Sequence, residues 1–268
     1  MTKTSRASSS GTQSIERTVS LLRELATMGI HGARLVDLAS RVNLEYPTAH
    51  RILRCLVEHK LVEKHAETRR YALGPLVFEL GLAAIPRTNL REICEPMMRC
   101  LAEQTGDTVF LNVRSGLDAV CIDRREGSFP IKTLVFEVGS RRPLGVGAGG
   151  AALLMMLPWN EIEEIVAANA PRLDAYGKLS SQRVIETLKQ ARKLGYLVTN
   201  NVVVKDVSSV DLPFAGHGRL PLAAVTVATV SSRLPVSRQR KVAGLMRSEI
   251  QKTERFLKES NDQVKHVA

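Results

Sequence analysis

The chain has 268 residues, with 38 Lys and Arg against 27 Asp and Glu and a formal net charge of +11. This length suits two modest domains, each with its own core. No run of about 20 apolar residues is present, which predicts no membrane span. Positive charge is denser in residues 1–75 (12 Lys and Arg against 7 Asp and Glu) than in the remaining residues (26 against 20), as binding of a polyanion would require.

The chain begins with a polar, serine-rich stretch. Residues 1–11 lack the apolar segment of a signal peptide, and their composition predicts a disordered tail. The sequence therefore predicts a cytoplasmic protein.

The next part of the chain predicts three helices and a β-hairpin. Apolar residues recur every three or four positions in residues 14–26, 35–41 and 47–56, which is the spacing of one buried helix face. Asn43 lies between the second and third helices, where a tight turn needs a residue that tolerates positive φ. Two short alternating runs, at residues 61–65 and 69–73, predict the hairpin. This order is typical of a winged helix-turn-helix.

The outer face of the third helix carries side chains that suit DNA. Thr48, His50 and Arg51 fall near its N-terminus, the part of a recognition helix that meets base edges, and hydroxyl and guanidinium groups donate to bases and phosphates. The residues predicted to contact DNA are Tyr46, Pro47, Thr48, His50, Arg51, Arg54, Arg69 and Arg70. Arg54, with Arg69 and Arg70 at the hairpin tip, is expected mainly to hold phosphates. The alternative is a helix surface with solvated charges.

The remainder of the chain mixes strand and helix patterns. Strands are predicted at residues 108–114, 119–125, 131–138, 197–204, 209–214 and 223–230. Helices are predicted at residues 76–82, 90–103, 151–157, 159–168, 181–194 and 237–258. The mixture predicts an α+β domain with one antiparallel sheet. The expected organisation is a tail (1–11), a winged helix-turn-helix (12–74), a linker helix (75–89), a second domain (90–260) and a tail (261–268).

Residues 145–150 match the G-x-G-x-x-G pattern of dinucleotide-binding loops. The context argues against a nucleotide, because Pro143 precedes the loop and no βαβ unit with a ribose-binding acid follows it. Small residues before a helix that begins near Ala151 instead predict backbone N–H groups that bind an anion such as a carboxylate.

Catalytic and metal-binding patterns are weak in this sequence. The four cysteines, Cys55, Cys94, Cys100 and Cys121, form no C-x-x-C pair, and neither a G-x-S-x-G elbow nor an H-E-x-x-H motif occurs. We expect reduced thiols, no metal site, no cofactor and no enzymatic activity.

Residues 12–81 resemble the winged helix-turn-helix of the IclR family of bacterial transcriptional regulators. The matching segments are Gln13-Ser14-Ile15-Glu16-Arg17, Thr48-Ala49-His50-Arg51-Ile52-Leu53, residues 56–62 and Arg70-Tyr71-Ala72-Leu73-Gly74. The resemblance implies that the second domain is the family's effector-binding domain, which is similar to a GAF fold. Its marks here are Arg141-Arg142-Pro143-Leu144, the glycine loop and Ala151-Ala152-Leu153-Leu154.

The resemblance also implies a set of effector-binding positions. These are Ile131, Leu134, Ala148, Gly149, Thr226 and Ala228. The family often has two hydroxyl residues where this chain has Thr226 and Ala228, and the acidic cluster usual after Gly195-Tyr196 is missing. A less polar pocket favours a larger, partly apolar acid such as an aromatic carboxylate. The alternative for Ile131, Leu134 and Thr226 is ordinary core.

The expected function is a ligand-responsive transcriptional regulator that controls catabolism of a small organic acid. Its partners would be a double-stranded, pseudo-palindromic DNA operator, the acid, and further copies of the chain in a homodimer or a tetramer. Two alternatives remain open: a DNA-binding regulator with a vestigial pocket, and a soluble enzyme with an accessory domain.

Overall fold

The structure, a computed structural model, describes residues 12–84, 90–134, 136–177, 179–215 and 221–265. The chain divides into two compact units between Arg87 and Thr88. Each unit has its own buried core.

The first unit has four α-helices and a hairpin among its described residues. Its elements are α1 (Gln13–Thr27), α2 (Leu35–Arg41), α3 (Tyr46–Glu58), β1 (Val62–Lys64), β2 (Tyr71–Leu73) and α4 (Pro75–Ala84). Leu21, Leu38 and Leu53 from α1, α2 and α3 are fully buried together. Asn43 has a φ of 51° in the turn between α2 and α3, as predicted. The helix-turn-helix and the hairpin are confirmed.

The second unit contains six strands and five helices among its described residues. They are α5 (Leu90–Thr105), β3 (Thr108–Ser115), β4 (Asp118–Arg125), β5 (Arg141–Pro143), α6 (Gly147–Leu154), α7 (Trp159–Leu173), α8 (Ser181–Leu194), β6 (Leu197–Asn200), β7 (Val207–Ala215), β8 (Pro221–Val230) and α9 (Val236–Lys265). The strands form one sheet in the order β5-β4-β3-β8-β7-β6, with every neighbouring pair antiparallel. The α+β fold with an antiparallel sheet is therefore confirmed.

The sheet separates two layers of helices. Leu111, Val210 and Val225 belong to the core that α5 and α9 cover. Asn112, Asp211 and Thr226 take the alternate positions on the same strands, and α6 packs over this other side of the sheet. Because successive strand residues face opposite sides, the polar set faces α6.

The predicted strand at residues 131–138 is wrong. Residues 131–134 and 136–138 are irregular, and the short strand β5 forms later, at Arg141–Pro143. β5 pairs with residues 118–120 of β4, whereas the backbone N–H of Thr133 donates to the side-chain hydroxyl of Thr108 and not to a strand carbonyl. Thr133 is held instead through its side chain, which donates to the carbonyl of Ala228.

Three further boundaries differ from the prediction. Helix α6 begins at Gly147 rather than near Ala151. Strand β6 ends at Asn200 instead of residue 204, because Asn201 and Asp206 have positive φ and turn the chain. Helix α9 continues to Lys265, so a tail that starts at residue 261 is wrong.

The cysteines do not cross-link the structure. All four cysteines, which lie in the described part of the chain, are free thiols. Burial raises the pKa of both Cys94 and Cys121 to about 12, so these thiols are protonated and unreactive at neutral pH. Among the described residues, no helix is long and apolar enough to cross a bilayer.

Candidate functional site

Helix α3 presents one apolar face and one polar face. Ala49, Ile52, Leu53 and Leu56 are buried against the rest of the first unit. The predicted DNA-contact residues occupy the other face: Tyr46, Pro47, His50, Arg51 and Arg54 are exposed, and Thr48 is half-buried. Since the buried stripe follows the helix period, the remaining positions must point outward. The structure thus brings the predicted contact residues of this helix onto one surface.

The N-terminal end of α3 carries two ring side chains one turn apart. The rings of Tyr46 and His50 are parallel, with centroids 6.4 Å apart. Pro47 lies in the first turn, where its missing N–H removes no helical hydrogen bond. This end of the helix is therefore polar, aromatic and ordered.

The two arginines of the hairpin have different environments. Arg69 is exposed with a φ of 55° beside the turn at residues 66–68. Arg70 is half-buried, and its Nη1 donates to the carbonyl of Gly32 at 3.0 Å. This contact ties the hairpin to the segment before α2, and the phosphate contact of Arg70 stays a prediction.

The second unit contains a cavity of about 60 Å³ between the start of α6, the sheet and residues 202–207. Its apolar lining includes Phe110, Phe136, Val146, Val202, Val203 and Val207. Its polar side chains are Asn112, Arg142, Thr199, Ser209 and Thr226. A concave site with an apolar wall and a few polar groups is the usual form of a small-molecule site.

A hydrogen-bonded row crosses the cavity floor. Asn112 Nδ2 donates to Thr226 Oγ1 at 3.4 Å, and the hydroxyls of Thr199 and Ser209 are 2.6 Å apart. Ser209 Oγ donates to Asp211 Oδ2 at 3.0 Å. The floor is therefore polar although the walls are largely apolar.

Asp211 lies beneath this row. Its side chain is 0% exposed, and its Oδ1 has no hydrogen-bond partner among the described residues. Burial raises the pKa of Asp211 from 3.8 to about 7, while hydrogen bonds from Thr226 and Ser209 oppose the shift. The carboxyl therefore changes protonation near neutral pH.

The glycine loop forms the first turn of α6. Gly147 has a φ of 66°, which favours glycine. A Cβ on Gly149 would lie 2.4 Å from Asn112 Nδ2, so only glycine lets the helix approach the sheet this closely. Val146 at the N-cap supplies no side-chain cap among the described contacts. First-turn N–H groups lack an acceptor within the helix and favour negative charge. Because α6 begins at Gly147, the predicted anion site lies at residues 147–149 rather than at Ala151.

The cavity gathers four of the predicted effector positions. Ala148, Gly149, Thr226 and Ala228 line it. Ile131 and Leu134 lie outside it and are 59% and 51% exposed, so they are neither cavity lining nor core. Their predicted place among the effector-binding positions came from the family resemblance.

Sequence reasoning missed the polar residues Asn112, Arg142, Ser209 and Asp211. The sequence signal that could have found them is the alternation of polar and apolar residues along a strand. Asn112 sits two residues after Phe110, and Ser209 and Asp211 alternate with apolar residues on β7. A polar residue at a buried position of a strand is the informative exception to the hydrophobic pattern.

Comparison with known proteins finds family matches for both parts of the chain. Residues 14–66 match the IclR helix-turn-helix domain, and residues 82–255 match the domain described as bacterial transcriptional regulator IclR C-terminal. The chain belongs to the IclR family of transcriptional regulators. It is a DNA-binding regulator with a helix-turn-helix domain followed by the IclR effector-binding domain.

One curated relative and two solved structures illustrate the similarity. The repressor AllR of Escherichia coli K12 is 27% identical over 229 residues, which cover 85% of this chain and 84% of AllR. A putative IclR regulator from Silicibacter sp. TM1040 has a TM-score of 0.75 and 20% identity, covering 91% of this chain and 96% of that one. An IclR homologue from Microbacterium hydrocarbonoxydans, in complex with 4-hydroxybenzoate, has a TM-score of 0.69 and 19% identity, covering 91% and 99%.

Proposed function

We propose that this IclR-family chain is a ligand-responsive regulator whose second unit binds a small organic acid in the cavity beneath α6. The cavity carries the proposal, because the first turn of α6, the cationic Arg142 and a row of hydroxyls surround one concave volume. Backbone N–H groups at a helix N-terminus and a guanidinium are both suited to a carboxylate. The acid would belong to a catabolic pathway that the regulator controls.

The first unit is proposed to bind the operator through α3 and the hairpin. Thr48, His50 and Arg51 are assigned to base edges, and Arg54 and Arg69 to phosphates, with Tyr46 and Pro47 at the helix start. The support is the exposure of these side chains, apart from the half-buried Thr48, and the single outer face of α3 that its members share. Paired copies of this unit in a homodimer or a tetramer would read two half-sites about one helical turn apart. Binding to chromosomal DNA places the protein in the cytoplasm.

The proposed domain limits follow the compact units. Residues 12–74 form the DNA-binding domain, residues 75–89 the linker with α4, and the effector-binding domain extends from residue 90 through the end of α9 at Lys265. An effector changes operator affinity only if it binds one conformation of the protein more tightly than another. We propose that this difference reaches the DNA-binding domain through the linker.

The cavity volume favours a short acid. At about 60 Å³ it is well below the roughly 150 Å³ of an apolar cavity that admits benzene. A short aliphatic acid suits this volume as it stands. An aromatic acid would require the cavity to widen.

An aromatic acid remains the second candidate, and a specific observation favours it. Phe110, Phe136 and five valines line the cavity, and the Microbacterium relative is in complex with 4-hydroxybenzoate. A loss of effector response is the further alternative, in which the cavity is vestigial.

A thermal-shift screen of the full chain separates these possibilities. The panel contains short aliphatic acids and benzoates, each at increasing concentration. A ligand that binds only the folded state raises its stability by about 2.7 kcal/mol at 100 times its Kd. A saturable rise with one class supports the proposal and identifies the class. No shift with any acid, while operator binding is intact, would leave the vestigial alternative.

The DNA surface is tested with Arg51→Ala, using a DNA fragment selected from a random pool by the wild-type protein. Loss of a base contact should weaken specific binding by about 1–3 kcal/mol. Arg23→Ala, at an exposed position of α1, is the matched control and should keep wild-type affinity. Unchanged binding by Arg51→Ala would mean that α3 does not meet the bases as proposed.

A further inference from the structure

We propose that Arg142 binds the carboxylate of the effector and so selects anions over neutral ligands of the same shape. The inference rests on the proposed effector function of the cavity beneath α6. In this proposal the preference for a charged ligand comes from a side chain of β5 as well as from the backbone N–H groups of α6.

The alternation of β5 separates its two arginines. Arg141 donates to the carboxylate of Asp118 and to the hydroxyl of Ser115. Arg142 is paired with Ala119 in the sheet, and both residues line the cavity. Because neighbouring strand residues face opposite sides of a sheet, one arginine serves the hairpin between β3 and β4 and the other faces the cavity.

The guanidinium of Arg142 is held in position by an aromatic ring. Its Cζ lies 4.3 Å from the centroid of the Phe136 ring, over the ring face. A guanidinium is attracted to a ring through its face, whereas its N–H groups donate in its own plane. The contact with Phe136 therefore fixes the plane in which these donors lie.

The same guanidinium lies close to the start of α6. Its Nη1 is 3.8 Å from the position that a Cβ on Gly147 would take, and Gly147 is the first residue of the helix. The side-chain donors and the first-turn N–H groups thus converge on one part of the cavity. Two kinds of donor around one point suit the two oxygens of a carboxylate.

The surroundings strengthen an interaction with an anion. Burial lowers the pKa of Arg142, and Tyr176 and Cys121 oppose the shift. Arginine nevertheless keeps its proton in proteins. A charge that is partly removed from water interacts more strongly with an opposite charge than an exposed one does, so a ligand carboxylate gains more from Arg142 than from a surface arginine.

The test compares acids with their amides on the full-length protein. Acetate, pyruvate, benzoate and 4-hydroxybenzoate are measured against acetamide, pyruvamide, benzamide and 4-hydroxybenzamide at matched ionic strength, by thermal shift and calorimetric titration. The variants are Arg142→Gln, which removes the charge, and Arg142→Lys, which keeps the charge without the planar fork. Arg141→Gln on the same strand is the matched control.

We expect wild type and Arg141→Gln to prefer at least one acid over its amide. Arg142→Gln should bind that acid on the order of ten- to a hundredfold more weakly and lose the preference, with amide binding unchanged. Arg142→Lys should fall between them, and it keeps the test valid if the glutamine variant does not fold. A preference that survives in Arg142→Gln, or is equally lost in Arg141→Gln, overturns the role of Arg142 and leaves the cavity's function standing. If no acid binds the wild type, both proposals fail.

Discussion

Replacing Asp211 with asparagine should remove much of the pH dependence of the stability of the second unit. Asp211 is fully buried under the cavity floor, with one oxygen accepting from Ser209 and the other lacking a partner among the described residues. Ionisation of this group in the folded state is therefore unfavourable. Asparagine has nearly the same shape and does not ionise.

The size of the pH effect on the free energy of unfolding follows from the pKa of Asp211. Burial raises the pKa of Asp211 from 3.8 to about 7, a difference of about 3 units, each worth about 1.4 kcal/mol. Because the folded pKa lies above the unfolded one, the stabilisation is complete below pH 3.8 and is lost as the pH rises through 7. The group's full effect is thus about 4 kcal/mol.

The single tryptophan makes the measurement specific to one unit. Trp159 lies in α7 of the second unit, so its fluorescence during urea unfolding follows that unit. Between pH 4.5 and 8.5 the free energy of unfolding of wild type should fall relative to Asp211→Asn by about 3 kcal/mol. Asp206→Asn, at an exposed turn position, is the control and should follow wild type. A constant difference between wild type and Asp211→Asn across this range would refute the reasoning.

Two paired substitutions test the contacts of the hairpin and of α6. Arg69→Ala should reduce the slope of the logarithm of DNA affinity against the logarithm of salt concentration by about 0.9 and leave the melting temperature unchanged. Arg70→Ala should instead lower the melting temperature, because the variant loses a hydrogen bond within the first unit. Equal salt slopes in the two variants would contradict this division. Gly149→Ala should destabilise the second unit by about 1–3 kcal/mol, because its Cβ would lie 2.4 Å from the Asn112 amide. Gly244→Ala in α9, with no heavy atom within 4 Å among the described residues, should instead gain about 0.5–1 kcal/mol, and both are measured by urea unfolding.

The first unit could be predicted closely because its signals are local. Each helix buries a stripe that recurs at helical spacing, and α2 begins and ends at the predicted residues. The turn at Asn43 required only a residue that tolerates positive φ, and the structure has it there. The side chain of Arg70 was the exception, since its acceptor is 38 residues away in the sequence.

The second unit was predicted less closely where neighbours in space decide the outcome. The run at residues 131–138 has the composition of a strand, yet Thr133 is held by hydrogen bonds that involve the hydroxyls of Thr108 and of Thr133 itself, not by backbone pairing. The glycines before Ala151 have low helix propensity, yet α6 begins at Gly147 because small residues let it approach the sheet. Tertiary packing overrode local preference at both places.

The sequence alone determined the order of elements, the α+β class with an antiparallel sheet, and the family resemblance, because periodicity and motifs are properties of neighbouring residues. The tertiary structure alone decided which residues line the cavity. Asn112 meets Thr226 across 114 residues of sequence, and Arg142 reaches the same cavity from the edge strand β5. A strand's alternation states which face a side chain takes, but the pairing register and strand order decide which side chains share that face.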